Sequence, residues 1–311
     1  MEYLSSNEFV VWPLEKLIKN LNDESMIPDR VISITFDDAY ENIYTNAWPL
    51  LKEKGYPFTL FIATDLIGKR GYLSWNQIRE MHTAGLSVAN HTKSHPHLIR
   101  KIDNENLSNW KRRITEEITG AQEIINNELP NALALRFLAY PYGEYNNDTL
   151  TLVKSLGYTG FGQQSGAAGH ETSLLILPRF PLSGVYANFS NFVTKVHTLA
   201  MPLMTSELLD PELEQDNTKP TLRLSFTHQR YRLNQLACYG PSEKMTLKKE
   251  APLVFLAQSI SDLPIGRSRY NCTMPVNEPI TNNGKAMTQR FYWFSQLWIT
   301  KQEDGSWYPE P

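Results

Sequence analysis

Cysteine is almost missing from this chain: 311 residues hold only Cys238 and Cys272. One pair leaves a disulfide and two buried thiols equally open, so it decides nothing about compartment. Excess charge of one sign is missing as well. Thirty Lys and Arg stand against 33 Asp and Glu, for a formal net charge of −3 and a pI near 6.2. That balance offers no broad basic face to nucleic acid or to an anionic membrane. No apolar run reaches the ~20 residues of a membrane span. The opening residues, M-E-Y-L-S-S-N-E-F, lack both the basic start and the apolar stretch of a signal peptide. Repeats and low-complexity tracts are absent too. What remains is a chain long enough for a substantial core, in one large domain or two.

Over residues 1–200, strand-like apolar runs alternate with helical patterns. The runs predict strands at Val31–Phe36, Phe58–Thr64, Leu86–Asn90, Leu135–Tyr140, Tyr158–Gly162 and Leu174–Pro178. Between them, Ile43, Ala47, Leu50 and Leu51 keep helical spacing up to Gly55. Ser74 and Gln77 form a capping box for a helix closed by Gly85. Leu107, Ile114, Ile118, Ala121 and Ile125 trace one apolar face of a long helix, and Asn146 or Asn147 caps a helix that ends at Gly157. Such alternation implies a parallel sheet, doubly wound or closed as a barrel. The pattern breaks at 201–219, an acidic, proline-bearing stretch that reads as a linker. Beyond it, 220–311 holds short β-rich runs, Thr221–Thr227, Leu253–Leu256 and Arg290–Thr300, as expected of a small antiparallel sandwich.

The polar residues gather where the predicted strands end. Val31–Phe36 runs into Asp37 and Asp38, Leu86–Asn90 into H-T-K-S-H-P-H, Leu135–Tyr140 into P-Y-G-E-Y, and Leu174–Pro178 into Arg179. In parallel α/β folds the carboxyl ends of the strands share one face, and that face carries the active site. His91 and His95, four positions apart, reach one ion when their segment is helical or tightly turned. One carboxylate completes a three-ligand site with a position open for water, as in catalytic zinc centres. The second carboxylate is then placed to act as general base. Each piece has a plainer reading: the Asp pair as a helix N-cap, the histidines as surface or capping residues. His82, His97, His170, His197 and His228 read as structural or loop residues.

Taken together, T-F-D-D at 35–38, H-T-K-S-H-P at 91–96 and R-F-L-A-Y-P-Y-G at 136–143 resemble the three leading motifs of the NodB-homology polysaccharide deacetylases, carbohydrate esterase family four. The resemblance covers roughly residues 1–200. It implies a distorted, incomplete (β/α) barrel, here followed by the β-sandwich, and a divalent metal, Zn2+ or another such as Co2+ or Ni2+. It also implies hydrolysis of N-acetyl groups on an amino-sugar polysaccharide. Carried over, Asp37 is the base, Asp38, His91 and His95 are metal ligands, and the Tyr142 amide stabilises the oxyanion. Arg179, in L-P-R-F-P, looks like the arginine that holds the base, and Arg136 stands where third-motif arginines stand.

The family's usual Leu-x-His motif is not found before the linker. In the branch similar to poly-N-acetylglucosamine deacetylases, that histidine comes from an N-terminal strand, and M-E-Y-L-S-S-N-E-F resembles the helix after it. The expectation is therefore of a chain that starts past this strand, leaving Val31–Phe36 with an edge open to oligomerisation. A polymer substrate implies a periplasmic or extracellular setting. Two other readings stay open: a catalytically weak, glycan-binding relative, and a hydrolase of a small amide or cyclic imide. In the second domain, Phe291, Tyr292, Trp293, Phe294 and Trp298 read as core and packing residues ahead of a sugar-stacking platform. The polar run G-R-S-R-Y-N-C at 266–272 has no evident role.

Overall fold

A computed structural model describes residues 1–130, 135–204, 209–241, 243–277, 280–282 and 285–309. The chain divides into two compact units. One comprises Met1–Glu144, Asp148–Phe161 and Leu174–Ile176; the other comprises Tyr145–Asn147, Gly162–Ser173 and Leu177–Pro311.

The first unit contains β1 (Val10–Val11), β2 (Val31–Ile32), β3 (Ile34–Phe36), β4 (Phe58–Ile62), β5 (Ser87–Asn90), β6 (Phe137–Ala139) and β7 (Thr159–Phe161). Strands β3 to β7 lie in chain order as one parallel sheet. Helices α1 (Glu2–Ser6), α2 (Leu14–Asn22), α3 (Trp48–Lys54), α4 (Trp75–Thr83), α5 (Leu107–Glu128) and α6 (Asn147–Ser155) accompany them. This is the curled, five-stranded half of a (β/α) barrel. Every residue of β4, F-T-L-F-I, is buried, as a parallel strand covered on both faces requires. β1 pairs in parallel with β2 outside this sheet, and β3 is an edge strand of it.

Local signals held in detail. Ser74 and Gln77 form the capping box at the start of α4, and α5 is capped by Asn106. On α5, however, Leu107 is exposed and Trp110 takes its place in the core. The Trp110 indole N–H donates to the Leu98 carbonyl at 2.9 Å. Ahead of α3 the chain makes a π-helical turn at Ile43–Ala47. Pro49 has no N–H for an α-helical bond to Thr45, and its ring would press on that carbonyl, so the wider turn relieves both. The strand expected at Leu174–Pro178 does not form. That segment instead makes single bonds beside β7, from Gly160 N–H to the Leu174 carbonyl and from the Tyr140 hydroxyl to the Leu175 carbonyl. A Cβ on Gly160 would lie 2.2 Å from the Leu175 oxygen, so only glycine fits this approach.

The second unit adds β8 (Leu199–Ala200), β9 (Thr221–Ser225), β10 (Ala237–Tyr239), β11 (Thr246–Ala251), β12 (Val254–Gln258), β13 (Gly266–Pro275), β14 (Ile280–Asn282), β15 (Lys285–Thr288), β16 (Phe291–Thr300) and the helix α7 (Phe189–Val196). One sheet runs β11-β12-β9 and another β10-β13-β16-β8, antiparallel except for the β16–β8 pair. Their inner residues, among them Leu222, Leu224, Phe255, Ala257, Tyr270, Met274 and Trp298, form one apolar core. The sequence places a boundary at residue 200 and a linker at 201–219. The described residues show otherwise: Leu199–Ala200 pairs with Tyr292–Trp293, and Met201, Leu203 and Leu213 are buried in this core. Apolar side chains spaced through an acidic stretch had somewhere to go. Residues 205–208 of that stretch and parts of the turn-rich 277–284 lie outside the described residues. Of the aromatic run, Trp298 is core and Tyr292 and Phe294 pack against it.

Cys238 and Cys272 stand opposite each other on β10 and β13 and are joined as a disulfide. The bond spans 34 residues of sequence, which on the chain-entropy view stabilises by about 3–4 kcal/mol. Replacing both cysteines by alanine should lower the urea midpoint and, because the released chain is less compact when unfolded, steepen the slope of the transition. An unchanged midpoint would show that the unfolded chain gains nothing from the released loop.

Candidate metal centre

Three turns at the carboxyl ends of β3, β5 and β6 build the centre. The carbonyl and amide ladder ends at Phe36, Asn90 and Ala139, and the next residues leave extended backbone abruptly. Asp38 and Ala39 have φ of 71° and 64°, Thr92 and His95 of 71° and 60°, and Tyr142 of 59°. Side-chain-bearing residues avoid this left-handed region, at roughly 1–2 kcal/mol each, and such strain collects where surrounding structure holds a functional geometry. The Asp pair is not a helix cap. The first helical turn after it starts at Ile43, behind Asn42, with no side-chain cap.

Asp38, His91 and His95 converge. The Oδ1 of Asp38 lies 3.3 Å from Nε2 of His91 and 3.4 Å from Nε2 of His95, and one ligand atom of each lies within 4.8 Å of the others. Direct hydrogen bonds would be shorter, around 2.7–3.2 Å. Two donors bound to one tetrahedral zinc at about 2.0–2.1 Å sit about 3.3–3.4 Å apart, so the spacing suits a shared cation. The protonation pattern suits it too. Nδ1 of His91 donates to the Ala139 carbonyl at 2.8 Å, which assigns its proton there and leaves Nε2 as a lone pair. Burial pushes the His95 imidazole down to about 4, with His91 adding to the shift and Asp38 and Asp37 opposing it. It is therefore neutral at neutral pH, as a ligand must be.

The histidine turn is clamped from α5. The Glu117 carboxylate accepts from the Lys93 and Ser94 amides at 3.1 and 3.0 Å and from the Ser94 hydroxyl at 3.0 Å. Asn90 bonds in both directions, giving its amide to the Ile118 carbonyl and accepting from Thr92 N–H. Tyr142 leans on the same turn. Its ring stacks on His97 at 3.9 Å and meets His95 edge-on at 4.6 Å. His97 in turn holds the fully buried Glu144 through Nδ1 at 2.7 Å, with Arg100 3.9 Å from that carboxylate. Beside Asp38, the Tyr40 and Tyr72 rings stack at 5.2 Å. Burial and then the Asp38 charge push Tyr40 up to about 12.

Of the residues read from the sequence, the structure brings together Asp38, His91, His95 and Tyr142, with the adjacent Asp37 half-buried and close enough to influence His95. It does not bring Arg136. That residue precedes β6, at the amino end of the strand, exposed, with its guanidinium 5.4 Å over the Tyr158 ring. The third-motif spacing is longer here, and the extra residues are the strand itself. Arg179 belongs to the second unit, where Nε donates to the Gly162 carbonyl. Sequence reading missed Glu117, Glu144 and the part played by His97. A carboxylate directly after P-Y-G was the visible signal for Glu144; Glu117, on a polar helix face, gave none.

Residues 25–161 match the family model of the polysaccharide deacetylases. The chain is 29% identical over 193 residues to the poly-β-1,6-N-acetyl-D-glucosamine N-deacetylase of Staphylococcus epidermidis, covering 59% of this chain and 65% of that protein. It spans less than two thirds of the length of such curated relatives. The Streptococcus pyogenes deacetylase PplD, solved in complex with acetate, is 25% identical with a TM-score of 0.55, over 63% of this chain and 83% of that one. IcaB from Ammonifex degensii is 21% identical with a TM-score of 0.54, over 63% and 85%, and shares the fold. Residues 25–161, which hold the candidate metal centre, are thus similar to the polysaccharide deacetylases.

Proposed function

We propose that this chain removes N-acetyl groups from an amino-sugar polysaccharide, with a divalent cation held by Asp38, His91 and His95. The observation that carries the reading is the spacing of those three donors, 3.3 and 3.4 Å from one carboxylate oxygen, beside a second, adjacent carboxylate. Zinc, cobalt or nickel bound there supplies a Lewis acid for the amide carbonyl. The chain's own groups do the rest. Asp37, not needed as a ligand, takes the proton from the attacking water. The Tyr142 amide, presented by the Pro141–Gly143 turn, donates to the oxygen that becomes negative. The Glu144–His97 pair and the clamp from Glu117 keep these turns from relaxing, which is what holds a reacting geometry together.

The S. epidermidis relative is named for poly-β-1,6-N-acetyl-D-glucosamine, and acetate is bound in the S. pyogenes structure. Both support this substrate class and product. The disulfide favours an oxidising, periplasmic or extracellular setting, where such polymers lie; among the described residues no helix is long and apolar enough to cross a membrane. The metal-loaded protein should release acetate from β-1,6-linked N-acetylglucosamine oligomers, lose that activity to a chelator and regain it with zinc, cobalt or nickel. Failure to release acetate from any amino-sugar polymer, with metal bound, would overturn the proposal.

A further inference from the structure

Two stretches of the first unit meet in a short antiparallel bridge, with Tyr40 opposite Tyr72. The Glu41 amide donates to the Gly71 carbonyl and the Leu73 amide to the Ala39 carbonyl, both at 2.9 Å. These bonds flank the tyrosines and leave them as a non-hydrogen-bonded pair, where cross-strand side chains approach most closely. Gly71 takes a φ of 86° to turn the chain into this bridge. Ala39 and Leu73 are fully buried in the apolar core beneath, so by alternation Tyr40 and Tyr72 project from the other side. Their rings stack at 5.2 Å with 27° between the planes. Tyr72 is half-buried, whereas Tyr40 is 46% exposed. Tyr72 backs one face of the Tyr40 ring, so the exposure belongs to the rest of it.

The pair stands beside the opening of the centre. Tyr40 follows Asp38 by two positions, so their Cα atoms lie within about 7.6 Å. The link between them is fixed: the Ala39 amide returns to the Asp37 carbonyl at 2.9 Å, and Asp38 and Ala39 both hold left-handed backbone. Of the three ligand side chains, His91 is 1% exposed, His95 18% and Asp38 27%. The centre therefore opens to solvent most widely at Asp38, the ligand that leads into Tyr40. An acetamido group entering there brings its sugar ring to the Tyr40 side. In a β-glucosamine ring the substituents are equatorial, and the axial C–H bonds leave two flat apolar faces. A tyrosine ring matches such a face, with few side-chain torsions to immobilise and a hydroxyl that stays wet.

Given the amino-sugar reading above, on which this rests, we propose that Tyr40, backed by Tyr72, is the platform on which a pyranose ring of the substrate packs while its acetamido group meets the centre at Asp38. The test uses the whole protein with zinc bound and a β-1,6-linked N-acetylglucosamine tetramer as probe. In an Asp37→Asn background, which withholds turnover, calorimetric titration should show Tyr40→Ala and Tyr40→Leu binding the tetramer about tenfold more weakly. Leucine keeps apolar bulk against Tyr72 but offers no flat face. Tyr40→Phe, which keeps the ring, should stay within about twofold. In the otherwise native chain the same loss should appear as a rise in KM for acetate release, larger than any fall in kcat. Metal content and melting temperature are read on the same samples. Three results overturn the platform: wild-type affinity in Tyr40→Ala and Tyr40→Leu; an equal loss in Tyr40→Phe, which would assign the hydroxyl; or loss of zinc in step with the sugar, which would make Tyr40 a prop for Asp38. A chain that binds the tetramer through Tyr40 yet releases no acetate overturns the deacetylase reading and leaves the platform standing. Acetate release indifferent to Tyr40 does the reverse, and a chain that neither binds nor cleaves the tetramer overturns both.

Discussion

Asp38→Ala is expected to leave a protein that folds but holds no metal and releases no acetate. Asp38 is the hub of the centre: both imidazoles face the same Oδ1, at 3.3 and 3.4 Å, and two histidines alone make a poor cage for a cation that takes three protein ligands at a catalytic site. Metal content, measured after dialysis, should fall from about one ion per chain to about none. The melting temperature of the chelated variant should match or exceed that of the chelated wild type. Without a cation, the Asp38 carboxylate faces the His91 and His95 rings at a spacing too long for direct hydrogen bonds, so the chelated protein loses little when it is removed. A variant that kept its metal at wild-type stoichiometry would disprove the ligand assignment.

Asp37→Asn should behave in the opposite way, keeping the ion while losing most of the rate. Asparagine preserves shape and hydrogen-bonding reach but accepts no proton. General-base catalysis is worth roughly 10²–10⁴ in rate, so kcat should fall by that factor with metal content unchanged. The measurement pairs acetate release with metal analysis on one sample. If Asp37→Asn emptied the site while Asp38→Ala stayed full, the two roles would be exchanged. The pair of variants is informative because the residues are adjacent: anything acting through general unfolding would strike both alike.

Much of the centre could be read from residue order, because parallel strands force chemistry to their carboxyl ends. D-D, H-x-x-x-H and P-Y-G each follow an apolar run, and the structure places them at the ends of β3, β5 and β6. The capping box at Ser74 was legible for the same reason: it is a local arrangement with its own spacing. The misreadings concern what sequence spacing cannot encode. Arg136 carries the right residue type at the wrong end of its strand. Leu174–Pro178 has strand composition, but Pro178 supplies no N–H and only single bonds reach its neighbours. The residues 201–219 look like a linker because their charges mask three leucines and methionines that reach the core. His97 and Glu144 are 47 positions apart, and nothing local in either segment announces the pair.

The division of the chain has a consequence for inheritance as well as for folding. Starting in the first unit, the backbone enters the second for Tyr145–Asn147, returns, leaves again at Gly162, comes back for Leu174–Ile176 and departs at Leu177. No single splice point separates the two. A recombination event at residue 200 or 220, where the composition changes, would leave the first unit whole but strip the second of Tyr145–Asn147, Gly162–Ser173 and everything from Leu177 to the cut. The second unit is therefore not a detachable cassette that evolution could have appended, or an engineer could remove, by one cut. Its segments are interleaved with those of the first along the chain.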